Sequence, residues 1–226
     1  MQRDIYQYKN DPESSHRQMA RLVNERRGKK VLDAGCGGGF LGRAIGKNGV
    51  KIWGLDKDTN WKNSRWLSTY KYVLWEDLER KGWEKELKNE EFDGIVAADV
   101  LEHLDNPEKV VKKLWKKVRK GGWMLVSLPN CEFWPVWLVR RLWPGFKMSR
   151  GPLDRTHKHF YGRLEAEKML NGANAVKLVA ATPPPFGLVD RMFGQGKPMF
   201  WIYNFFAVLA RKWPRRMAYQ LIFEVT

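Results

Sequence analysis

The feature that most constrains the fold is a run of glycines directly after a short apolar segment near the start of the chain. A strand predicted over Lys30–Ala34 leads into Gly35-Cys36-Gly37-Gly38-Gly39, and a helical pattern follows. A tight glycine turn between a strand and a helix lets a nucleotide approach the backbone closely. The pattern therefore predicts an α/β fold with a nucleotide-like ligand at the end of the first strand.

Strands and helices alternate along most of the 226 residues, which is typical of parallel βαβ units. Phe92–Ala98 is apolar on both faces, as a central parallel strand should be. We expect one domain, residues 1–226, built as a doubly wound, mostly parallel seven-stranded sheet. The remaining predicted strands are Val50–Leu55, Tyr70–Trp75, Trp123–Leu128, Val176–Ala181 and Met217–Val225.

Four helices are predicted besides the one that follows the glycine turn, and two of them carry clear signals for a helix end. Asn106 is suited to cap a helix whose apolar stripe runs to Val118, with lysines on the other side. Asn171-Gly172 is suited to end a helix in a left-handed cap. The other two helices are predicted over Ser14–Arg27 and Phe200–Lys212.

The glycine spacing separates two cofactor classes. Dinucleotide-binding turns follow G-x-G-x-x-G, but the position three after Gly37 is Phe40. An acid, Asp33, precedes the turn, and a carboxylate there suits a cation better than a pyrophosphate. A second acid, Asp56, closes the next strand, where it can accept hydrogen bonds from ribose hydroxyls. The predicted cofactor is S-adenosylmethionine, which carries an ammonium and a sulfonium.

From about Ser14 to Leu170 the chain resembles class I S-adenosylmethionine-dependent methyltransferases. It is most similar to the group that contains ubiquinone-biosynthesis O-methyltransferases and uncharacterised enzymes encoded beside glycan-assembly genes. The resemblance implies a Rossmann-like methyltransferase fold. It rests on VLDAGCGGG at 31–39, Asp56, EDL at 76–78, FD at 92–93, ADVLEHL at 98–104, Gly121-Gly122, SLPN at 127–130 and LDRTHKHFY at 153–161.

The same resemblance implies roles for individual residues. Gly35 and Gly37 approach the methionine part of the cofactor, and Asp33 helps to hold its ammonium through backbone and water. Asp77 accepts a hydrogen bond from the adenine amino group, with the Leu78 amide facing the ring. The full implied cofactor set is Asp33, Gly35, Cys36, Gly37, Asp56, Lys57, Asp77, Leu78, Ala98 and Asp99.

Histidines supply the candidate catalytic groups, because a base is needed only if the acceptor must lose a proton. Strand order is expected to bring the four histidines over the carboxyl ends of the sheet. We predict His103 or His157 as the base, with Asp154 also in the catalytic set and His159 binding substrate. The Glu102-His103 pair does not by itself make a metal site, so no metal is predicted.

Two aromatic and basic segments, residues 131–160 and 186–214, are predicted as helical insertions that form a wall or lid over the acceptor. Residues 131–150 do not resemble a regular βα unit. Trp134 and Trp137 are the predicted substrate contacts. The mixture of rings with arginine and lysine is also typical of a membrane surface patch, or of nucleic-acid binding. Core packing of extra helices would explain some of the rings.

The chain has a formal net charge of +16, which favours anionic partners. Two cysteines, no signal peptide and no apolar run of spanning length predict a cytoplasmic protein, or one peripheral to the inner face of the membrane. The favoured activity is O-methylation of a small or amphiphilic, lipid- or glycan-related acceptor. RNA methylation is the alternative, and a non-catalytic binding subunit is a further one.

Overall fold

A seven-stranded sheet forms the centre of the protein. The computed structural model describes residues 13–26, 28, 30–45, 49–87, 90–149, 151–171, 175–185 and 198–226. The strands are β1 Lys30–Ala34, β2 Lys51–Asp56, β3 Tyr70–Trp75, β4 Phe92–Ala98, β5 Val118–Pro129, β6 Val176–Thr182 and β7 Gln220–Val225. The helices are α1 Ser15–Glu25, α2 Phe40–Ile45, α3 Trp83–Glu86, α4 Pro107–Trp115, α5 Trp134–Leu142, α6 Arg163–Leu170, α7 Pro198–Lys212 and α8 Pro214–Met217.

The strand order is β3-β2-β1-β4-β5-β7-β6, which confirms the predicted doubly wound sheet. The first five strands pair in parallel, and β7 lies antiparallel between β5 and β6. The chain order reverses between β1 and β4, so their carboxyl ends border the crevice where ligands bind in such sheets.

Each sheet face is covered by its own apolar cluster. Neighbouring residues of β1 point to opposite faces, so Val31 packs into one cluster and Leu32 into the other. Met19 and Val23 of α1 cover the first face, and Val110 and other residues of α4 cover the second. Burial on both faces explains why the strands read as nearly continuous apolar runs.

The boundary between α4 and β5 differs from the prediction. The helical stripe was expected to reach Val118, but α4 ends at Trp115 and Val118 pairs with Phe92 at the start of β5. A valine four residues after Leu114 fits a helix or a strand equally well, and pairing with β4 decides between them. Asn106 precedes α4 without a side-chain capping bond, so the predicted cap is wrong in that detail.

Residues 131–149 contain a regular helix, α5, in the segment predicted as an aromatic helical insertion. Pro135 lies in its first turn, and Val136 and Val139 pack one turn apart against Phe133 and Leu153. Asn171-Gly172 was predicted as a left-handed cap, but the backbone of Asn171 after α6 is right-handed. Gly172 and residues 186–197 of the second predicted insertion lie outside the described residues. Within the described part of the chain, every helix is too short or too polar to cross a bilayer.

Candidate functional site

The glycine turn is shaped by close contacts that only glycine allows. Gly35, Gly37 and Gly39 all have positive φ, which side chains rarely adopt. A Cβ on Gly35 would lie 2.2 Å from Cγ2 of Val100, just after β4. The turn therefore fits tightly against the end of β4 and leaves its backbone accessible to a ligand.

Asp56 ties the glycine turn to the end of β2. Its Oδ2 accepts a hydrogen bond from the Gly37 amide at 2.7 Å, and its Oδ1 accepts one from the Asp58 amide at 2.8 Å. Partial burial raises its pKa above the ordinary value, while these two hydrogen bonds counteract that shift. A carboxylate held at this place suits the ribose hydroxyls of the predicted cofactor.

The predicted adenine contacts lie together on the rim beyond Asp56. Lys57 Nζ is 3.3 Å from Asp77 Oδ2, and both side chains are exposed. Leu78 is buried, so its amide is fixed beside this ion pair. The structure thus brings together the ends of β2 and β3, as the resemblance implies.

Asp33 lies beneath the turn rather than facing its opening. It is 2% exposed, and Tyr70 Oη donates a hydrogen bond of 2.5 Å to its Oδ2. The Tyr70 oxygen in turn accepts from the Gly42 amide of α2. Burial raises the pKa of Asp33 to about 7, although the Tyr70 hydrogen bond lowers it. Asp33 can therefore act on a bound cation only through the field of its charge or through the backbone.

Cys36 is buried in the turn and packs against Gly54. Burial, together with Asp33 and Asp56, raises the pKa of its thiol well above the ordinary value. The thiol is therefore not a nucleophile, and its contribution is to packing.

Trp61 is a site residue that the sequence did not indicate. A Cβ on Gly38 would lie 2.8 Å from its ring, and the ring meets Phe40 edge to face at 5.8 Å. Trp61 thus lies over the glycine turn and forms a wall beside it. Its sequence neighbourhood is polar and carries no motif, so only the fold reveals the contact.

Asp99 follows Ala98 at the end of β4 with a φ of +56°, the one positive value among the described residues other than glycine. Its carboxylate accepts a hydrogen bond of 2.8 Å from Ser127 Oγ. The Gln220 side-chain amide donates to both carboxylate oxygens at 2.7 Å. Three strands thereby fix this carboxylate at the crevice. Gln220 was missed because no sequence signal shows which strand β7 joins.

Two of the predicted catalytic histidines lie next to each other. The rings of His103 and His157 meet edge to face with centroids 4.8 Å apart. His157 Nε2 is 3.9 Å from Oε1 of Glu102, which is 1% exposed. Burial lowers the pKa of both histidines below 6.5, with His103 further lowering that of His157 and Asp154 opposing the shift in each. Both rings are therefore neutral near pH 7.

The hydrogen bond of His103 indicates which ring nitrogen carries the proton. His103 Nδ1 is 3.3 Å from the Thr156 carbonyl oxygen. Because a carbonyl only accepts, Nδ1 carries the proton and Nε2 has the lone pair. A neutral histidine in this state can take a proton from an acceptor.

Asp154 orders the loop that carries His157. Its Oδ1 accepts from the Thr156 amide and hydroxyl at 2.8 and 2.7 Å, and its carbonyl accepts from the His157 amide. The structure therefore places Asp154 in support of the histidines. His159 stacks on Tyr161 at 5.9 Å, and its amide donates to the Glu102 carbonyl, which brings it to the same cluster.

The remaining predicted residues lie on the outside of α5. Trp134 is 45% exposed and Trp137 is 42% exposed, with the Arg216 guanidinium 4.9 Å from the Trp137 ring centroid. His16 contacts Phe40 beside the glycine turn that follows β1, with ring centroids 6.2 Å apart.

The cluster also offers ligands for a cation. Glu102, His103 and His157 each present one ligand atom, and these atoms lie within 4.8 Å of one another. The sequence presented only the Glu102-His103 pair, and the fold adds His157 as a third ligand.

Comparison with known proteins gives both a family and a fold. A family model described as a methyltransferase domain matches residues 6–178. Ubiquinone biosynthesis O-methyltransferase from Chromobacterium violaceum is 34% identical over 113 residues, 46% of this chain and 45% of that protein. The corresponding protein of Azoarcus sp. is 32% identical over 108 residues, 47% of this chain and 46% of its own. The match thus spans less than half the length of these curated relatives.

Two solved structures share the fold at low sequence identity. A SAM-dependent methyltransferase from Archaeoglobus fulgidus has a TM-score of 0.62 and 15% identity, over 96% of this chain and 95% of that one. Magnesium protoporphyrin IX methyltransferase from Synechocystis PCC 6803, solved with bound SAH, has a TM-score of 0.58 and 15% identity, over 92% and 82%.

Proposed function

Because this chain belongs to the methyltransferase domain family and is an S-adenosylmethionine-dependent methyltransferase, we propose that it methylates an oxygen of a small or amphiphilic, lipid- or glycan-related acceptor. The observation that carries this proposal is the neutral pair His103 and His157 next to the end of β4. A hydroxyl must lose its proton on methylation, and a neutral imidazole is suited to take it.

The cofactor pocket has the features that S-adenosylmethionine requires. The glycine turn packs tightly against Val100 and has no side chain of its own at Gly35, and Asp56 presents a carboxylate beside it. When bound, S-adenosylmethionine supplies a methyl group already activated on a positively charged sulfur. In the proposal Gly35 and Gly37 approach the methionine part and Asp56 binds the ribose, while Lys57 and Asp77 border the adenine.

The remaining work falls to residues that orient the acceptor and remove its proton. His103 Nε2 accepts the hydroxyl proton, and His157 provides the second imidazole. Asp154 holds the loop, and Asp99 stays in place through Ser127 and Gln220. Most of the rate enhancement then comes from alignment of the acceptor, because the donor is already activated.

Support for an amphiphilic acceptor comes from two directions. The curated relatives are named for ubiquinone biosynthesis, although they match over less than half of their length. Trp134 and Trp137 of residues 131–160 lie on α5, which precedes the histidine loop in the chain. We further propose a cytoplasmic enzyme that works at the inner face of the membrane.

Two other functions compete with this proposal. The net charge of +16 favours an RNA acceptor, but Cys36 and Cys131 are both buried with raised thiol pKa values, which speaks against methylation at cytosine C5. A non-catalytic binding subunit has no need of an intact cofactor pocket. Calorimetric titration with S-adenosylhomocysteine tests the hypothesis of a non-catalytic subunit. Binding of this product would contradict that hypothesis.

The acceptor is tested by methyl transfer from radiolabelled S-adenosylmethionine to cell extracts, sorted into lipid, glycan and RNA fractions. We expect label in the lipid or glycan fraction. The His103→Ala/His157→Ala double variant should lower kcat by about 100-fold or more while binding S-adenosylhomocysteine normally. Full turnover in that variant would mean that proximity alone drives the reaction, and label confined to RNA would reject the acceptor class.

A further inference from the structure

The outer side of α5 and the loop after it expose an unusual amount of apolar surface. Thirteen large apolar residues are exposed among the described residues, and seven of them fall between 134 and 148. Soluble proteins rarely expose a contiguous apolar patch of this kind without a partner for it. The α5 surface, as defined here, consists of the exposed Trp134, Trp137, Leu138, Arg140, Arg141, Leu142, Trp143, Phe146, Lys147 and Met148.

The opposite side of the same helix is fixed to the protein. Val136 and Val139 pack toward Phe133 and Leu153, so α5 cannot turn its exposed side inward without losing that contact. The exposed residues Trp134, Leu138, Arg141 and Leu142 follow at three- and four-residue spacing and share the outer face. Helix α5 therefore carries apolar side chains on its exposed outer face as well as on its packed face.

The charge of the α5 surface has one sign. From residue 133 to residue 153 the chain contains arginines and a lysine but no aspartate or glutamate. The neighbouring helix α8 adds Arg216, which lies over the Trp137 ring. Tryptophan and aliphatic side chains among arginines and lysines suit the boundary between anionic head groups and acyl chains.

We propose that the α5 surface docks this enzyme on an anionic lipid bilayer. A two-fold contact with a second copy would bring Arg140, Arg141 and Lys147 against their own equivalents, which like-charge repulsion disfavours. RNA would pair with the cations and stack on rings, but it would leave Leu138, Leu142 and Met148 without apolar partners. A bilayer accommodates both the cations and the aliphatic side chains.

Docking at this surface places the bilayer next to the histidine cluster. The Arg140 guanidinium lies 5.2 Å from the Phe160 ring centroid, and the Phe160 ring lies 6.1 Å from that of His157. The segment that contacts the lipid is thus connected to the histidine pair through Phe160. In this respect the inference rests on the proposed function, because it identifies the bilayer as the source of the acceptor.

Vesicle flotation of the full chain tests the docking without any methyl transfer. We expect binding to vesicles of phosphatidylcholine with phosphatidylglycerol, little binding to phosphatidylcholine alone, and weaker binding at high salt. The Leu142→Ser/Trp143→Ser/Phe146→Ser variant should bind at least tenfold more weakly. The Arg141→Gln/Lys147→Gln variant should also weaken binding by about tenfold or more.

A matched control removes exposed apolar groups elsewhere. Tyr72 lies on edge strand β3 and Leu164 on α6, and both are at least half exposed. The Tyr72→Ser/Leu164→Ser variant should float as the wild type does. The thermal shift with S-adenosylhomocysteine shows that each variant is folded with an intact cofactor pocket.

The proposal is overturned if anionic vesicles do not bind the protein, if the triple serine variant floats like the wild type, or if the control variant loses binding equally. Retention of bulk tRNA on filters without vesicle binding would also reject it, in favour of RNA. If the protein floats with anionic vesicles but the methyl-transfer screen labels neither a lipid nor a glycan fraction, the docking surface is supported and the proposed acceptor class is rejected.

Discussion

At the scale of single residues, the site depends on a few glycines and side chains that are in close contact with their neighbours. There is no space for a Cβ at Gly35, and the Asp33 side chain is almost completely buried. Both residues were predicted from the glycine motif, but the reasons for their identity are Val100 and Tyr70. These contacts lead to two predictions.

Replacing Gly35 with alanine should remove cofactor binding. The new Cβ would meet Val100 at 2.2 Å, at a φ of +80°. We expect the free energy of unfolding to fall by about 3 kcal/mol, from left-handed strain and overlap together. Gly82 is the control, with a φ of +89° and nothing within 4 Å, so Gly82→Ala should cost only about 1 kcal/mol and leave binding intact. Urea unfolding and calorimetry measure both effects, and equal losses would contradict the contact.

Binding of S-adenosylmethionine should strengthen as the pH rises from about 6 to 7.5. The pKa of Asp33 is raised from 3.8 to about 7 in the folded protein, so its negative charge appears only over this range. The same shift means that the stability of the free protein falls as the pH rises from about 4 to 7, because the folded state holds a proton that the unfolded state has lost.

Calorimetry with three proteins checks this pH dependence. Affinity of the wild type should rise about fivefold between pH 6 and 7.5, where the cofactor's own amine stays mostly protonated. Asp33→Asn should flatten the profile. Tyr70→Phe should move the profile to higher pH. The Tyr70 hydrogen bond lowers the pKa of Asp33, so its removal raises that pKa further. An unchanged profile in Asp33→Asn would rule out this residue as the source.

At the scale of elements, β7 both joins β6 to the sheet and positions a residue beside Asp99. It enters between β5 and β6 in the antiparallel sense, which places its first residue, Gln220, at the carboxyl ends of β4 and β5. Gln220 there holds Asp99 through both carboxylate oxygens. The strand was predicted, but its neighbours were not, and so this contact was not foreseen.

Gln220→Met should lower kcat by about tenfold, because Asp99 loses two hydrogen bonds and shifts at the crevice. Gln18 provides a matched control, since it is also buried and its side chain donates to backbone carbonyls, including that of Ala181. Gln18→Met should destabilise the fold but leave kcat unchanged. Equal kcat values for the two variants would show that Gln220 has only a structural role. Initial-rate kinetics with the identified acceptor separate these outcomes.

At the scale of the whole molecule, the proposed cofactor residues lie at or just after the ends of β1, β2, β3 and β4, four neighbouring strands. A ligand that contacts all four strands binds the folded state alone, so it stabilises the entire sheet. The charge of +16 is a property of the same scale and bears on partners rather than on the fold.

Saturation with S-adenosylhomocysteine at about 100 times its Kd should add about 2.7 kcal/mol to the free energy of unfolding. For a chain of this length, that corresponds to a rise in Tm of about 5 to 10 °C. A nicotinamide dinucleotide should produce no rise, since Phe40 stands where its binding turn has glycine. Differential scanning calorimetry provides the measurement. A shift with the dinucleotide but none with S-adenosylhomocysteine would contradict the cofactor assignment.

The sequence by itself determined the fold class, the order of the strands along the chain and the cofactor class. These depend on local signals, because a glycine turn and a terminal acid such as Asp56 specify chemistry within a short stretch of chain. The tertiary structure decided what joins distant segments: His157 beside His103, Gln220 on Asp99 and Trp61 over the turn. It also decided that Val118 is in a strand and that 134–142 is a helix. Such contacts depend on pairing and packing between segments far apart in the chain, and residue periodicity alone does not encode those choices.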